Sequence, residues 1–230
     1  DLDGNPAVRT STGNAVAYLN LRDLKVLENQ ACTLFFRMIP GTNNIMGITN
    51  IVGLTDKNQR GYADGITNIG SVLYIAPITN DFFLVTNGWY MGARNGYPGM
   101  PIEFVHPALD PATVYNVWID ITNAPVANYF MSDTFSVYVQ KDGDTDGGRI
   151  LLFQDYVSDR DLFLIDDVLG GIQPNLDKLI LLGNNAAYSA WFDDFYLSRG
   201  GYNATVPRPY GFSGQLPATM SIQFLDGKIA

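Results

Sequence analysis

Two adjacent carboxylates, Asp193 and Asp194, stand inside the segment "AWFDDFYLS" (190–198), whose other residues are mostly those of a buried strand. Successive side chains of a strand point to opposite faces, so one of the two aspartates is expected to face the core. A buried carboxylate must be protonated, paired with a base or bound to a cation. A cation at Asp193 is the first hypothesis. The alternative is that Asp193 bonds backbone N–H groups or an arginine while Asp194 is exposed.

A second candidate site is the segment "TNGWYMGARNGYPGMP" (86–101), where large rings stand among glycine, asparagine and proline residues. This pattern predicts an exposed loop. Its rings could stack on the apolar face of a sugar, while its polar side chains bond hydroxyl groups. The predicted carbohydrate-binding residues are Trp89, Tyr90, Tyr97, Arg94, Asn87 and Asn95. The alternative is that the loop closes one end of the fold with its own aromatic rings.

The composition narrows the classes of partner. The chain has 14 Lys plus Arg against 23 Asp plus Glu, a net charge of −9, which argues against nucleic acid and anionic membranes. Divalent cations and neutral or cationic ligands fit this charge better. The single cysteine, Cys32, allows no intrachain disulfide, and the single histidine, His106, allows no metal centre built from several histidines. No apolar stretch reaches the roughly 18 residues of a membrane-spanning helix.

Short segments rich in β-branched and aromatic residues must position these side chains. They are bounded by Gly, Asn, Asp or Pro, and they predict an all-β fold of two packed antiparallel sheets, a sandwich or jelly roll. The predicted strands are 15–21, 32–39, 48–55, 71–78, 81–87, 114–121, 134–141, 149–155, 178–184 and 190–198. The acidic run "DGDTDGG" (142–148) lacks the last glutamate of an EF-hand loop, so it is interpreted as a hairpin turn.

The composition changes after Asn203, where "ATVPRPYGFSGQLPATM" begins. Its prolines would interrupt a sheet, so one domain is predicted over residues 1–205. Residues 206–230 are predicted to be a Pro/Gly-rich tail or linker that can still form an extra strand. Few lysines, many Asn, Gly, Thr and Tyr residues and an acidic surface are typical of secreted bacterial modules. We therefore expect a secreted or cell-surface location, with other modules in the same polypeptide.

The segments "VYNVWIDIT", "DTFSVYVQKDGD", "ILLFQDY", "LDKLILLGN" and "AWFDDFYLSRGGYNATVPRP" resemble the concanavalin A-like, or laminin-G-like, jelly-roll superfamily over about residues 10–205. The resemblance implies a calcium ion at the margin of the sandwich. A carboxylate near the start of the last strand and backbone carbonyls from the N-terminal segment and an early loop would hold it. Those roles would fall on Asp193 with its neighbour Asp194, on residues around Asp3 and Gly4, and on the loop that begins at Gly41.

The same jelly roll is used by glycoside hydrolases and polysaccharide lyases, so catalysis has to be considered. The related hydrolases carry a Glu-x-Asp-x-(x)-Glu strand, whereas the two glutamates here, Glu28 and Glu103, are far apart in sequence. The related lyases use His and Tyr with Arg and Gln on adjacent strands, whereas His106 stands before a proline with no Gln-x-His motif. These missing motifs predict that the domain is not an enzyme.

The sequence therefore predicts a non-catalytic, lectin-like carbohydrate-binding or adhesion module of a larger secreted protein, stabilised by structural calcium. Its expected ligand is a polysaccharide or another glycan. The alternatives are a polysaccharide lyase or glycoside hydrolase with an atypical active site, and a structural spacer domain of a cell-surface protein.

Overall fold

A computed structural model of the chain describes residues 8–9, 15–40, 50–56, 71–79, 85–96, 101–111, 113–125, 133–144, 147–158, 175–183, 190–207 and 223–224. Thirteen strands and one short 3-10 turn, Arg22–Leu24, lie within these ranges. The strands are β1 (Val8–Arg9), β2 (Ala15–Asn20), β3 (Gln30–Ile39), β4 (Asn50–Thr55), β5 (Ser71–Thr79), β6 (Val85–Ala93), β7 (Glu103–Leu109), β8 (Tyr115–Asn123), β9 (Thr134–Lys141), β10 (Ile150–Val157), β11 (Lys178–Gly183), β12 (Trp191–Arg199) and β13 (Gln223–Phe224). No described helix is long and apolar enough to span a membrane.

The strands form two antiparallel sheets. The six-stranded sheet has the order β1-β12-β3-β8-β9-β10, and the seven-stranded sheet has the order β13-β2-β11-β4-β5-β6-β7. The predicted all-β fold of two packed antiparallel sheets is confirmed. Each of the ten predicted strands overlaps an observed one.

Strand β7 was not predicted, because the prolines around His106 indicated a loop. The strand lies at the edge of the seven-stranded sheet, where it pairs only with β6 among the described strands. A proline is tolerated at such an edge because its missing N–H removes no bond from the interior of the sheet. The backbone of His106 therefore belongs to a strand.

The main core lies between the two sheets, and alternate residues of each central strand enter it. Strand β3 contributes Cys32, Leu34, Phe36 and Met38 to this core, and β8 contributes Tyr115, Val117, Ile119 and Ile121. Burial raises the pKa of the Cys32 thiol to about 12, which fits the predicted role of this residue in packing. The intervening residues of the same strands therefore lie on the outer face of the six-stranded sheet.

Two parts of the chain beyond β12 add to the sandwich. Strand β13 pairs with β2 at the edge of the seven-stranded sheet, with Gln223 opposite Tyr18. The extra strand allowed for in the C-terminal tail is thus present. Residues 200–207 instead follow the outer face of the six-stranded sheet, where Asn203 donates its backbone N–H to Thr33 Oγ1 at 2.9 Å.

Candidate functional site

A bulge in β12 decides where the two adjacent aspartates point. Asp193 pairs with Arg37 of β3, and the register shifts between Asp193 and Tyr196. Asp194, within the shift, has a φ of +51°. Because paired residues point to the same face and Arg37 lies between core residues of β3, both aspartates lie on the outer face. The prediction that one of them faces the core is wrong, since it assumed strict alternation along the strand.

Residues in register across four strands form a polar row on this outer face. Asp193 of β12 lies opposite Arg37 of β3, which lies opposite Asn116 of β8, which in turn lies opposite Gln140 of β9. Side chains at paired positions are close neighbours. A carboxylate, a guanidinium and two amides therefore form one row across the four inner strands of the sheet.

The next row is aromatic and lies two residues along β3, β8 and β9 and, because of the bulge, three residues along β12. It runs from Tyr196 through Phe35 and Trp118 to Tyr138. The Phe35 and Trp118 rings meet edge to face with centroids 5.2 Å apart, and Phe35 lies 6.1 Å from Tyr196. Rings arranged in this way form a continuous apolar surface beside the polar row.

A third row continues the polar character of the face. Thr33 donates its hydroxyl to Asp120, whose other oxygen accepts a bond from Arg149 at 3.3 Å. The Arg149 guanidinium lies 3.9 Å from the Tyr138 ring centroid and 6.0 Å from that of Trp118. Arg149 therefore covers the β9 end of the aromatic row by cation–π contact.

Arg37 is the centre of a cluster of ionic contacts. Its two terminal nitrogens donate to Asp142 at 2.9 Å and to Asp194 at 3.2 Å. The Asp194 side chain is 17% exposed and that of Asp142 is 40% exposed. Asn116 donates to the second oxygen of Asp142 at 3.1 Å. We call Arg37, Asn116, Asp142, Asp193 and Asp194 the arginine cluster.

The amide of Asn116 is oriented by its neighbour. Asp142 can only accept, so the contact at 3.1 Å fixes Asn116 Nδ2 toward Asp142. Asn116 is 3% exposed, and its Oδ1 atom has no hydrogen-bond partner among the described residues. A buried acceptor left in this state favours a ligand that brings a hydroxyl or N–H donor.

Two side chains of β12, Asp193 and Tyr196, have raised pKa values. The pKa of Asp193 is raised by burial and by the Asp194 charge, against the lowering effects of the Asp194 backbone N–H and of Arg37. The pKa of Tyr196 is raised by burial and then by the charges of Asp194 and Asp193. The cluster thus contains carboxylates in unlike environments, an arrangement that enzymes use to separate an acid from a base.

The residues predicted to bind calcium are only partly described. Asp3 and Gly41 lie outside the described residues. Asp194 is bonded to Arg37, and Asp193 accepts the Asp194 backbone N–H at 2.8 Å. A guanidinium at a carboxylate competes with a metal cation, so Asp194 does not fit as a calcium ligand here. No group of three or more His, Cys, Asp or Glu residues suited to a metal occurs in the described part of the chain. Calcium stays a prediction.

The predicted aromatic loop is in large part a strand. Trp89 lies in β6, is 2% exposed and belongs to the core between the sheets. The expectation that its ring is exposed to solvent is wrong, because the glycines near it interrupt the aromatic run without ending the strand. The backbone of Asn87 also lies in β6, and Tyr97 is outside the described residues.

The remaining residues of that prediction do not join the arginine cluster. Arg94 is 9% exposed and lies over the Tyr74 ring at 5.9 Å. Asn95 is exposed and accepts the Val157 backbone N–H at 2.9 Å, which ties β6 to β10. Tyr90 is half-buried. A carbohydrate-binding role for these side chains stays a prediction.

The residues of the outer face carried a sequence signal that the search for linear motifs missed. In "YNVWIDI" (115–121), apolar residues alternate with Asn116, Trp118 and Asp120. In "LFFRMI" (34–39), Arg37 interrupts an apolar run at a position of the same parity as Phe35. When residues alternate in this way and one face of the strand carries polar and aromatic side chains, that face is expected to make contacts other than those of the core.

Comparison with known proteins gave matches among solved structures alone. No protein-family model and no curated protein matches the sequence. The structure of alginate lyase Aly36B matches with a TM-score of 0.47 and 10% identity, covering 85% of this chain and 80% of that one. The endo-β-1,4-glucuronan lyase of the fungus Trichoderma reesei matches with a TM-score of 0.41 and 12% identity, covering 85% and 82%. The lectin of Bauhinia forficata, in complex with GalNAc, matches with a TM-score of 0.39 and 9% identity, covering 86% and 100%.

The prediction that the domain is not an enzyme is corrected. Several of the matching structures are polysaccharide lyases. The prediction rested on motifs missing along the chain, yet Arg37 contacts Asp142 and Asp194, which are 105 and 157 residues away in sequence. A set of acid–base side chains assembled from separate strands leaves no short motif, so the missing motifs do not exclude catalysis.

Proposed function

We propose that the domain cleaves a polysaccharide on the outer face of the six-stranded sheet, with the arginine cluster as its catalytic centre. The observation that carries the proposal is the raised pKa of Asp193 in a cluster where Asp142 and Asp194 are ion-paired with Arg37. Glycoside hydrolysis needs one carboxyl group that holds a proton and one that is ionised. We assign the first role to Asp193, whose pKa is shifted upward, and the second to a neighbouring carboxyl group of the same cluster.

Each member has a defined part in hydrolysis. Asp193 donates its proton to the glycosidic oxygen as the bond from the sugar carbon to that oxygen breaks. Water attacks the sugar carbon and gives its proton to Asp142, the more exposed carboxylate. Burial and then the Asp194 charge raise the pKa of Asp193, and Arg37 holds Asp142 in place through an ion pair at 2.9 Å. Asn116 holds Asp142 and offers its Oδ1 atom to a sugar hydroxyl.

Electrostatics favours a neutral polysaccharide as the substrate of this centre. The cluster has three carboxylates and one guanidinium, and the whole chain has a net charge of −9. A densely anionic polymer would approach against this field. A neutral glycan would meet no such barrier.

Elimination is the second candidate, because Arg37, Asn116 and Tyr196 lie on three neighbouring strands. A uronate carboxylate would replace Asp142 on Arg37, since Asp142 is the more exposed of the two partners. Asp142, displaced from Arg37, would then take the proton beside the uronate carboxylate. The bond to the leaving oxygen would break, a carbon–carbon double bond would form, and Tyr196 would protonate the leaving oxygen.

One assay separates the two reactions. The purified chain is incubated with neutral glucans and xylans and with alginate, while new reducing ends and the ultraviolet absorbance of unsaturated sugars are followed. Hydrolysis yields reducing ends without unsaturation, and elimination yields both. Asp193→Asn and Asp142→Asn are each expected to lower hydrolysis on the order of 10²-fold or more.

Asp155→Asn is the matched control. Asp155 lies on β10, is exposed and bonds Ser136 away from the arginine cluster. This variant is expected to keep its activity. Equal activity of all three variants would place the catalytic centre elsewhere, and no cleavage of any polysaccharide by the parent chain would contradict the proposed function.

A further inference from the structure

Residues 202–206, here called the strap, lie across the outer face of the six-stranded sheet. The Tyr202 hydroxyl bonds that of Thr122, and Asn203 donates its backbone N–H to Thr33 at 2.9 Å. The Thr205 carbonyl accepts the indole N–H of Trp118 at 3.2 Å. These contacts advance from the end of β8 toward the arginine cluster, so the strap follows the strands over the middle of the sheet.

The strap covers the central rings of the aromatic row. Trp118 is 1% exposed and Phe35 is 2% exposed, although both lie on the face that points away from the main core. The outer rings of the row, Tyr138 and Tyr196, are partly exposed. The central rings are therefore a buried apolar surface next to the polar row, with a short segment of chain above it.

The attachment of the strap is polar and light. The larger apolar side chains of the strap point to solvent, since Tyr202 is 56% exposed and Val206 is 40% exposed. Thr205 bonds Asn203 within the strap itself, at 3.0 Å from its N–H and 2.7 Å from its hydroxyl. Opening the strap exposes the two central rings but breaks only a few exposed or partly buried hydrogen bonds, so it costs less free energy than unfolding of the whole domain.

A pivot precedes the strap. Gly200 has a φ of +85°, and the N–H groups of Gly200 and Gly201 both donate to the Ala31 carbonyl, at 2.9 and 3.1 Å. The chain before this point is fixed in β12. Two glycines at the end of a fixed strand can absorb a large change of backbone direction, as hinges do.

We propose that Phe35 and Trp118 are a sugar-stacking platform which the strap covers in the free protein and vacates when a polysaccharide binds. The strap turns on Gly200 and Gly201, and the sugar ring takes its place over the surface that the two rings form. The neighbouring sugar then reaches the polar row. This inference rests on the proposed function for the identity of the ligand, whereas the movement of the strap can be measured without one.

The movement is measured by hydrogen exchange of the Trp118 indole N–H, whose resonance is assigned with Trp118→Phe. If the strap opens, this proton exchanges at least roughly a hundredfold faster than the slowest backbone amides of β3 and β8. If it exchanges no faster than those amides, the strap opens only when the whole domain unfolds. That result would overturn the proposal.

A reversible lock tests the platform. The variant is Thr33→Cys/Asn203→Cys. In the parent protein the Asn203 backbone nitrogen lies 2.9 Å from Thr33 Oγ1, so residues 33 and 203 are close enough for a disulfide. Cys32 points to the core on the opposite face and does not compete. The oxidised form is expected to show slow indole exchange and a loss of polysaccharide cleavage of roughly tenfold or more. The reduced form of the same protein is the control.

The outcomes separate this inference from the proposed function. Equal cleavage by the oxidised and reduced forms would show that the platform is not used and would overturn the inference while leaving the proposed function in place. Fast indole exchange with no cleavage or binding of any polysaccharide in either form would contradict the proposed function and the platform, and would leave a mobile strap of another purpose. Loss confined to the oxidised form supports the inference.

Discussion

Replacing Arg37 by methionine keeps most of the side-chain volume and removes the guanidinium between Asp142 and Asp194. Both side chains of the Arg37–Asp194 pair are largely buried, at 11% and 17% exposure, so a charge-assisted bond there contributes about 1.5–3 kcal/mol. The Asp142 side chain is 40% exposed, so solvent screening limits its pair to about 0.5 kcal/mol. The variant is expected to lose about 2–3 kcal/mol of the free energy of unfolding.

Double-mutant cycles separate the two pairs. Arg37→Met is combined with Asp194→Asn and, separately, with Asp142→Asn, and the free energy of unfolding is measured by urea denaturation. The coupling to Asp194 is expected to be about 1.5–2 kcal/mol, and the coupling to Asp142 about 0.5 kcal/mol. Coupling to Asp155, measured with Asp155→Asn, should be near zero. A coupling to Asp142 as large as that to Asp194 would refute the argument that burial ranks the pairs.

Three further predictions follow from the described contacts. Trp89→Ala should lower the free energy of unfolding by about 3–5 kcal/mol, because Trp89 is buried in the core. Tyr90→Ala should lower it less, because Tyr90 is only half-buried, and chemical denaturation measures both variants. Asp193→Asn should stabilise the domain by a few tenths of a kcal/mol at neutral pH, after allowance for solvent screening. The raised pKa means that folded Asp193 binds its proton more tightly than Asp193 of the unfolded chain. The stability gain of Asp193→Asn should therefore vanish as the pH falls through the folded pKa to 3.8. A gain in stability that does not change with pH would contradict this prediction. If calcium binds, excess chelator should lower the Tm and added calcium should restore it. This response should persist in Asp194→Ala, because the Asp194 carboxylate is already ion-paired with Arg37.

The sequence by itself determined the strands and their two faces. In β8, the alternation of Val117 and Ile119 with Trp118 and Asp120 needs no partner to be recognised, because the side-chain period of a strand is a local property of the backbone. The number of short β-branched and aromatic segments, each bounded by turn residues, indicated the sandwich. The connection between the antiparallel strands β9 and β10 was equally readable as a hairpin, since Gly143 and Gly148 adopt the positive φ values that favour glycine.

The burial of Trp89, in the middle of β6, was less accessible to sequence. Trp89 was predicted to lie on a loop because Gly88 precedes it and Gly92 follows it. Partners on both sides, β5 and β7, hold this stretch in the sheet and bring the ring into the core. Pairing with neighbouring strands overrides the weak local preference of glycine for turns.

Only the tertiary structure decided the arginine cluster. The bulge at Asp194 places both aspartates on the outer face, and the strand order then brings Arg37 between Asp194 and Asp142. Neither step is encoded in a short segment, because a bulge depends on the register of two paired strands and the cluster depends on contacts more than 100 residues apart. Spacing along the chain therefore identified Asp193 as a residue to explain, while the order of strands in the sheet supplied its partners.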